Sequence, residues 1–141
     1  MAAKTKGYLT FRVGHEWYGV NVNRIIEVLH LVALNEVPGS DVVGVMTLRD
    51  QVIPVIDLRE RFGVEELNFK LDTPIIAIRG ENGPMGLIVD EADDVELIED
   101  EQITTYADRF VHHVVRLDGK LLFLLDIAQL SEVDFYAQPG T

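Results

Sequence analysis

An arginine at the tip of an apolar stretch is the first residue in this chain whose chemistry packing does not explain. In Thr47–Leu58, TLRDQVIPVIDL, two β-branched runs flank Arg49-Asp50-Gln51. That is the pattern of a hairpin whose turn carries a charged pair. A guanidinium there offers a planar set of donors to a carboxylate, or to backbone carbonyls, of another molecule. Three other groups of residues raise the question of chemistry. The acidic run DEADDVELIEDE, Asp90 to Glu101, is rich enough in carboxylates to suggest calcium. It lacks the D-x-[DN]-x-[DN]-G spacing of an EF-hand loop, so it reads as the solvated face of a strand. His112 and His113 are adjacent, and neighbours in a strand point to opposite faces, which keeps them from sharing one ion. Gly80-Glu81-Asn82-Gly83 joins a strand to a strand rather than to a helix, so it does not form a phosphate cradle. The chain contains no G-x-S-x-G, H-E-x-x-H, P-loop or G-x-G-x-x-G. No catalytic residue, cofactor or metal is expected.

The elements that must position these residues are mostly strands. Leu9, Phe11 and Val13 alternate with Thr10 and Arg12, and Glu16 to Val20 returns after Gly14. Val43 to Leu48 pairs with Val52 to Ile56, and Ile75 to Ile78 with Met85 to Val89. Val111 to Leu117 and Leu121 to Leu125 enclose Asp118-Gly119, the strongest short turn signal present. Helical signals are brief: Asp57-Leu58-Arg59-Glu60, closed by Gly63, resembles a capping box, and Asp126-Ile127-Ala128-Gln129 repeats it. Asn21 to Ile26 reads as one more helical turn. Pro54 lacks an N–H, so it belongs where no neighbouring strand requires one: an edge, a bulge or a barrel corner.

Composition narrows the classes of function. A chain of 141 residues is normally one domain and buries roughly two-thirds of its unfolded surface. Twenty-four acids against twelve bases leave a net charge of −12, which disfavours a nucleic-acid backbone or an anionic membrane as partner. The chain has no cysteine, which fits a reducing cytoplasm. The N-terminal MAAKTKGYLTFRV lacks the continuous apolar stretch of a secretory signal, and no apolar run approaches the length of a membrane span.

Laid over each other, the two halves of the chain match. VMTLRDQVIPVIDL, from Val45, aligns without a gap on VVRLDGKLLFLLDI, from Val114. Asp57 then corresponds to Asp126, Asp50 to Gly119 and Pro54 to Phe123. Gly19-Val20 corresponds to Gly86-Leu87 at a nearly equal offset. This predicts a duplication: two small β units of about five strands, each ending in a short helix and sharing a hydrophobic seam. Gly119 occupies a turn position that favours positive φ, and Asp50 in the other half tolerates that region better than most residues.

These same residues resemble the CheW-like domain family of bacterial chemotaxis, from Tyr8 to about Val133. GVMTLRDQVIPVIDLRERFG is similar to the family's G-h-h-N-L-R-G-x-h-h-P-h-h-D-L-R segment, where h is apolar. FRVGHEWYGVNVNRIIEV resembles its opening strand pair and short helix, and MGLIVDEADDV and LLFLLDIAQL agree with its second half. The resemblance implies an all-β fold with a few short helices: two SH3-like, five-stranded β-barrel lobes packed on a shared hydrophobic core. It implies one domain over residues 8–133, with pseudo-repeat halves at about 8–66 and 73–133 and flexible termini at 1–7 and 134–141. It also implies a non-enzymatic adaptor that couples the cytoplasmic tips of chemoreceptors to the regulatory domain of the histidine kinase CheA. Such an adaptor is cytoplasmic and recruited to receptor arrays, without entering the membrane. Carried over residue by residue, the partner-binding positions are Arg49, Gly44, and Ile25, Glu27 and Val28. Asp50 stands where the family has glycine, Thr47 where it has asparagine, and His112-His113 where the second half often has a small residue. The alternatives are an adaptor of a chemotaxis-like pathway with an output other than swimming, or a β-barrel that binds oligonucleotide or oligosaccharide. The barrel reading would want basic and aromatic residues interleaved on one face, and the twelve bases here are spread thinly.

Overall fold

The computed structural model describes residues 4–30, 34–35, 42–64 and 72–132. Eleven strands and two one-turn helices follow in order: β1 Thr5–Val13, β2 Glu16–Asn21, β3 Ile25–His30, β4 Gly44–Leu48, β5 Gln51–Asp57, α1 Leu58–Arg61, β6 Pro74–Arg79, β7 Pro84–Ile88, β8 Glu91–Glu99, β9 Ile103–Asp108, β10 Val111–Leu117, β11 Lys120–Leu125 and α2 Ile127–Leu130. The helical turn expected at Asn21–Ile26 is a 3-10 turn over Val22–Arg24, capped by Asn21 Oδ1 on the Asn23 N–H; Ile25 and Ile26 already belong to β3. Thr5–Gly7, expected in a flexible terminus, instead begin β1 and pair with Glu99, Ile98 and Leu97 of β8. No apolar alternation announces them, because their order comes from that neighbour and from the Lys6–Asp100 ion pair at 3.8 Å. Residues 134–141 lie outside the described residues. No helix among those described is long and apolar enough to cross a membrane.

The strands form two sheets, ordered β8-β1-β2-β11-β10-β9 and β3-β6-β7-β5-β4. One has the five strands expected and the other six. The sixth is β9, which pairs Thr104 with Val114; at the same offset in the first half Asn35 bridges Val45. Neither sheet is drawn from one half of the chain. The hairpin β1–β2 joins strands of the second half, and β6–β7 sits among strands of the first. The joins are the two parallel pairings, and they match: Val55 faces Gly86, and Leu124 faces Gly19. Each glycine makes room for its neighbour. A Cβ on Gly86 would come within 3.2 Å of Val55, and one on Gly19 within 3.1 Å of Leu124.

Each sheet curls over its own small core. Met46, Ile53, Val55, Ile75, Ala77 and Ile88 fill the five-stranded lobe. Tyr8, Ile98, Val115, Leu122 and Leu124 fill the other. The outer faces meet in a larger seam, to which β1–β2 contribute Leu9, Phe11, Val13 and Val20, and β6–β7 contribute Ile76, Ile78, Met85 and Leu87. This is the shared core that the duplication predicts, since neither lobe alone could cover both faces of its sheet.

Both repeat hairpins turn on two left-handed residues. Arg49 and Asp50 have φ of 49° and 69°, and Asp118 and Gly119 have 47° and 80°. These are the values that let a two-residue loop follow the right-handed twist of its strands. Pro54 is not at an edge, because β5 lies between β4 and β7. Val45, opposite Pro54, gives both its N–H and its carbonyl to Asn35 on its far side. The Val45–Pro54 pair is therefore a non-hydrogen-bonded one, and the missing N–H costs the hairpin nothing. The parallel ladder to β7 begins only at Val55.

The largest fully buried side chain is charged. Arg59, 1% exposed, donates through Nε and Nη2 to both oxygens of Asp57, at 3.0 and 2.9 Å. Its Nη1 lies 3.7 Å from Asp90, whose other oxygen accepts the Gly14 N–H at 2.7 Å. The chain of contacts runs from the five-stranded sheet through the segment between β7 and β8 to the β1–β2 turn, and so ties one lobe to the other. Hydrogen bonding to Asp57 is the main influence holding the guanidinium charged, against the opposing effect of burial.

Candidate functional site

Arg49 projects from the β4–β5 tip with 74% of its side chain exposed. Its φ of 49° is in the left-handed region, where a branched-at-nothing but Cβ-bearing residue such as arginine costs about 1 kcal/mol. Its Nη2 lies 3.4 Å from Glu27 Oε1, on β3, the edge strand of the same sheet. An ion pair this exposed stabilises by under about 1 kcal/mol, so it does not explain why arginine occupies the position. Beside it is a depression of about 410 Å³ lined by Ile26, Leu48, Arg49, Gln51, Arg79 and Pro84, among others.

The strand edge is held rigidly. Arg79 Nη1 donates to the carbonyls of Asn23 and Ile25, at 3.3 and 3.4 Å. Arg24 donates to the Arg79 carbonyl at 3.1 Å and to Glu81 Oε1 at 2.9 Å. Between Ile25 and Glu27 the register with β6 shifts, a bulge of the kind that re-aims side chains at a sheet edge. Ile25 and Val28 thereby pack, half-buried, against the shared seam, and Ile26 and Leu29 against the five-stranded lobe.

Of the five positions taken from sequence, the structure brings Arg49 and Glu27 together. Ile25 and Val28 flank Glu27 but give most of their surface to the core. Gly44 lies at the opposite end of β4 from the tip. It is buried, and a Cβ there would sit 2.8 Å from the Asn35 carbonyl oxygen, which is a packing reason for glycine. Arg79 and Ile26 were missed, and no sequence signal points to Arg79: it arrives through the pairing of β6 with β3.

The histidine pair departs from expectation. A register shift between Val111 and His113 breaks the alternation and brings the two rings edge to face, with centroids 4.4 Å apart. Among the described residues no three His, Asp or Glu side chains gather into a group that could hold a metal ion.

Two curled sheets back to back on one seam, with matched hairpins and matched parallel joins, define a double-barrel β module. Its most prepared surface is a strained hairpin tip set against a rigid strand edge, a geometry suited to contact with another protein. The chain belongs to the CheW-like domain family, whose model matches residues 7–134. It is 30% identical to the chemotaxis protein CheW of Thermotoga maritima, covering 93% of this chain and 91% of that one. It is also 30% identical to the chemotaxis protein CheW of Bacillus subtilis, covering 84% and 81%. A crystal structure of the scaffolding protein TtCheW from Thermoanaerobacter tengcongensis superposes with a TM-score of 0.84 at 29% identity, over 93% of this chain and 95% of the other.

Proposed function

We propose that this protein is a chemotaxis coupling adaptor that links the cytoplasmic tips of chemoreceptors to the regulatory domain of the histidine kinase CheA, and that Arg49 and Glu27 form its receptor contact. The family and the named relatives support the scaffold role. The observation that carries the site is the conformation of Arg49. The left-handed turn is shared with the twin hairpin and asks only for a residue that tolerates positive φ, so an exposed guanidinium there serves neither the turn nor the core. Asparagine would suit the same turn position better. Ile25 and Val28, half-buried beside Glu27, set the height and angle of that carboxylate.

The two substitutions Arg49→Ala and Arg49→Asn separate function from folding. Arg49→Ala is expected to change stability by about 0.5 kcal/mol or less, and Arg49→Asn to be neutral or to stabilise by up to about 1 kcal/mol. Both are expected to weaken receptor binding by about 2–5 kcal/mol, while binding to the CheA regulatory domain persists. Thermal melts, receptor-tip pull-down and kinase activation on the same preparations decide it. Full receptor coupling by well-folded Arg49→Asn would overturn the assignment.

A further inference from the structure

Apart from the Arg49 depression, three others run along the seam between the lobes, and none shares a lining residue with it. The first, about 240 Å³, is lined by Tyr18, Arg61, Phe62, Asp108, Arg109 and Phe110. The second, about 390 Å³, shares Arg61, Arg109 and Phe110 and adds Gln129 and Glu132 near α2. The third, about 650 Å³, shares Tyr18 and Phe62 and extends past Val13 and Val64 toward the β1–β2 turn. The three therefore form one groove, with Arg61 and Arg109 at one end, the rings of Phe62 and Tyr18 in the middle, and a mixed stretch that includes Arg12, Glu16 and Asp90 at the other.

The aromatic floor is continuous. Tyr18 and Phe62 have ring centroids 4.8 Å apart, and Phe62 and Phe110 5.8 Å. The Arg109 guanidinium lies 4.9 Å from the centre of the Phe110 ring. Arg12, Arg24, Arg49 and Arg59 each have a carboxylate within ion-pair distance. Arg109 has none among the described residues, although the chain carries 24 acids to 12 bases. Asp108, its neighbour, turns one oxygen to the Arg109 backbone N–H at 2.7 Å. The Tyr18 phenol is pushed up to about 12, by burial first and then by Glu16, Asp108 and Tyr106. It stays protonated at neutral pH and can donate a hydrogen bond.

We propose that the cleft where Arg61 and Arg109 converge beside Phe110 is a second binding site, and that it takes a carboxylate borne on an extended peptide with an apolar residue next to it. A guanidinium stacked on an aromatic ring keeps its in-plane donors free for bidentate pairing with a carboxylate. The adjoining rings of Phe62 and Tyr18 give the neighbouring apolar side chain a surface to cover. Asp108 and Glu132 at the margins admit one carboxylate and repel a run of them. The site thus selects an isolated acidic residue in an apolar context rather than a polyanion.

The probe is N-acetyl-Glu-Leu-amide, titrated into the full chain with the arginine side-chain Nε–H resonances observed by NMR, against N-acetyl-Gln-Leu-amide. The expected result is saturable, salt-sensitive shifts of Arg61 and Arg109 with the glutamate peptide and at least tenfold weaker binding of the glutamine peptide. Arg109→Gln is expected to lose at least tenfold in affinity. Arg109→Lys, which keeps the charge without the fork, should fall between the two, and Arg49→Ala should bind as the unaltered chain does. Because residue 109 lies in an exposed turn, both Arg109 variants are expected to fold, and their spectra report this directly. Equal binding of the two peptides, or unchanged binding by Arg109→Gln, would refute the site. So would shifts that grow with protein concentration in the absence of peptide, which would make a second copy of the chain the occupant.

Discussion

The segments β4–β5–α1 and β10–β11–α2 are the same structure built twice, and they differ at the ends. Each has a two-residue left-handed turn and an Asp whose side chain caps the following helix, Asp57 on the Arg59 N–H and Asp126 on the Gln129 N–H. One tip carries Arg49 where the other has Asp118. One helix carries the buried Arg59 where the other has the exposed Ala128. What the copies share is required by the hairpin itself. What only one copy has serves something outside it: Arg59 reaches toward the other lobe, and Arg49 reaches into solvent.

The largest effect is expected from removing Arg59. Arg59→Met leaves Asp57 buried without its partner and should cost about 3–5 kcal/mol, whereas Ala128→Arg at the matched position should stay within about 0.5 kcal/mol. Urea unfolding of the two variants measures the asymmetry, and equal losses would show that the network does not distinguish the copies. Next comes Gly44, whose counterpart across the repeat is His113. Gly44→Ala presses a methyl group on the Asn35 carbonyl and should destabilise by about 1–3 kcal/mol; a melt unchanged from the unaltered chain would count against the packing role. The turns themselves give a smaller, opposed pair. Gly119 has open space around it and a φ of 80°, so Gly119→Ala should lose about 1 kcal/mol from conformation alone, while Asp50→Gly should be neutral or gain a similar amount.

The smallest effect concerns pH. His112 is held below its usual 6.5 by burial first and by the charge of His113, against the pull of Asp126. A base with a lowered folded pKa binds its proton less well folded than unfolded. Its contribution is therefore complete above about pH 6.5 and declines as the pH falls below that value. Thermal melts between pH 7 and 5.5 should show a shallower acid-side decline in His112→Gln. An identical decline would mean that His112 is not held below its usual value.

Much of this was legible in the residues. Asp118-Gly119 announces its turn, and the ungapped match to Val45–Leu58 carries the left-handed geometry across to Asp50, though not to Arg49, because arginine in that region has no local signature. The acidic run at Asp90–Glu101 reads as a solvated strand, and it forms β8 and the turn after it. Three features were illegible for one physical reason, that they depend on strands distant in sequence. The non-bonded face of Pro54 depends on Asn35. The burial of Arg59 depends on Asp90 and Gly14. The meeting of His112 with His113 depends on where β11 shifts register. The repeat also shows that two units exist without showing which strands each one keeps.

The exchange of hairpins between the sheets has a consequence for synthesis. As the chain leaves the ribosome, β3 and β5 emerge early, yet β6 and β7 must be inserted between them before their sheet is continuous. Strand β1 emerges first and waits for β8, with Arg12 facing Glu91 across most of the chain's length. The five-stranded sheet cannot close before β7 has emerged at Ile88, and the six-stranded sheet cannot close before β11. Contacts of such long sequence separation slow folding and leave apolar strands uncovered meanwhile. The nascent first half thus carries bare strand edges that wait for the rest of the same chain to cover them.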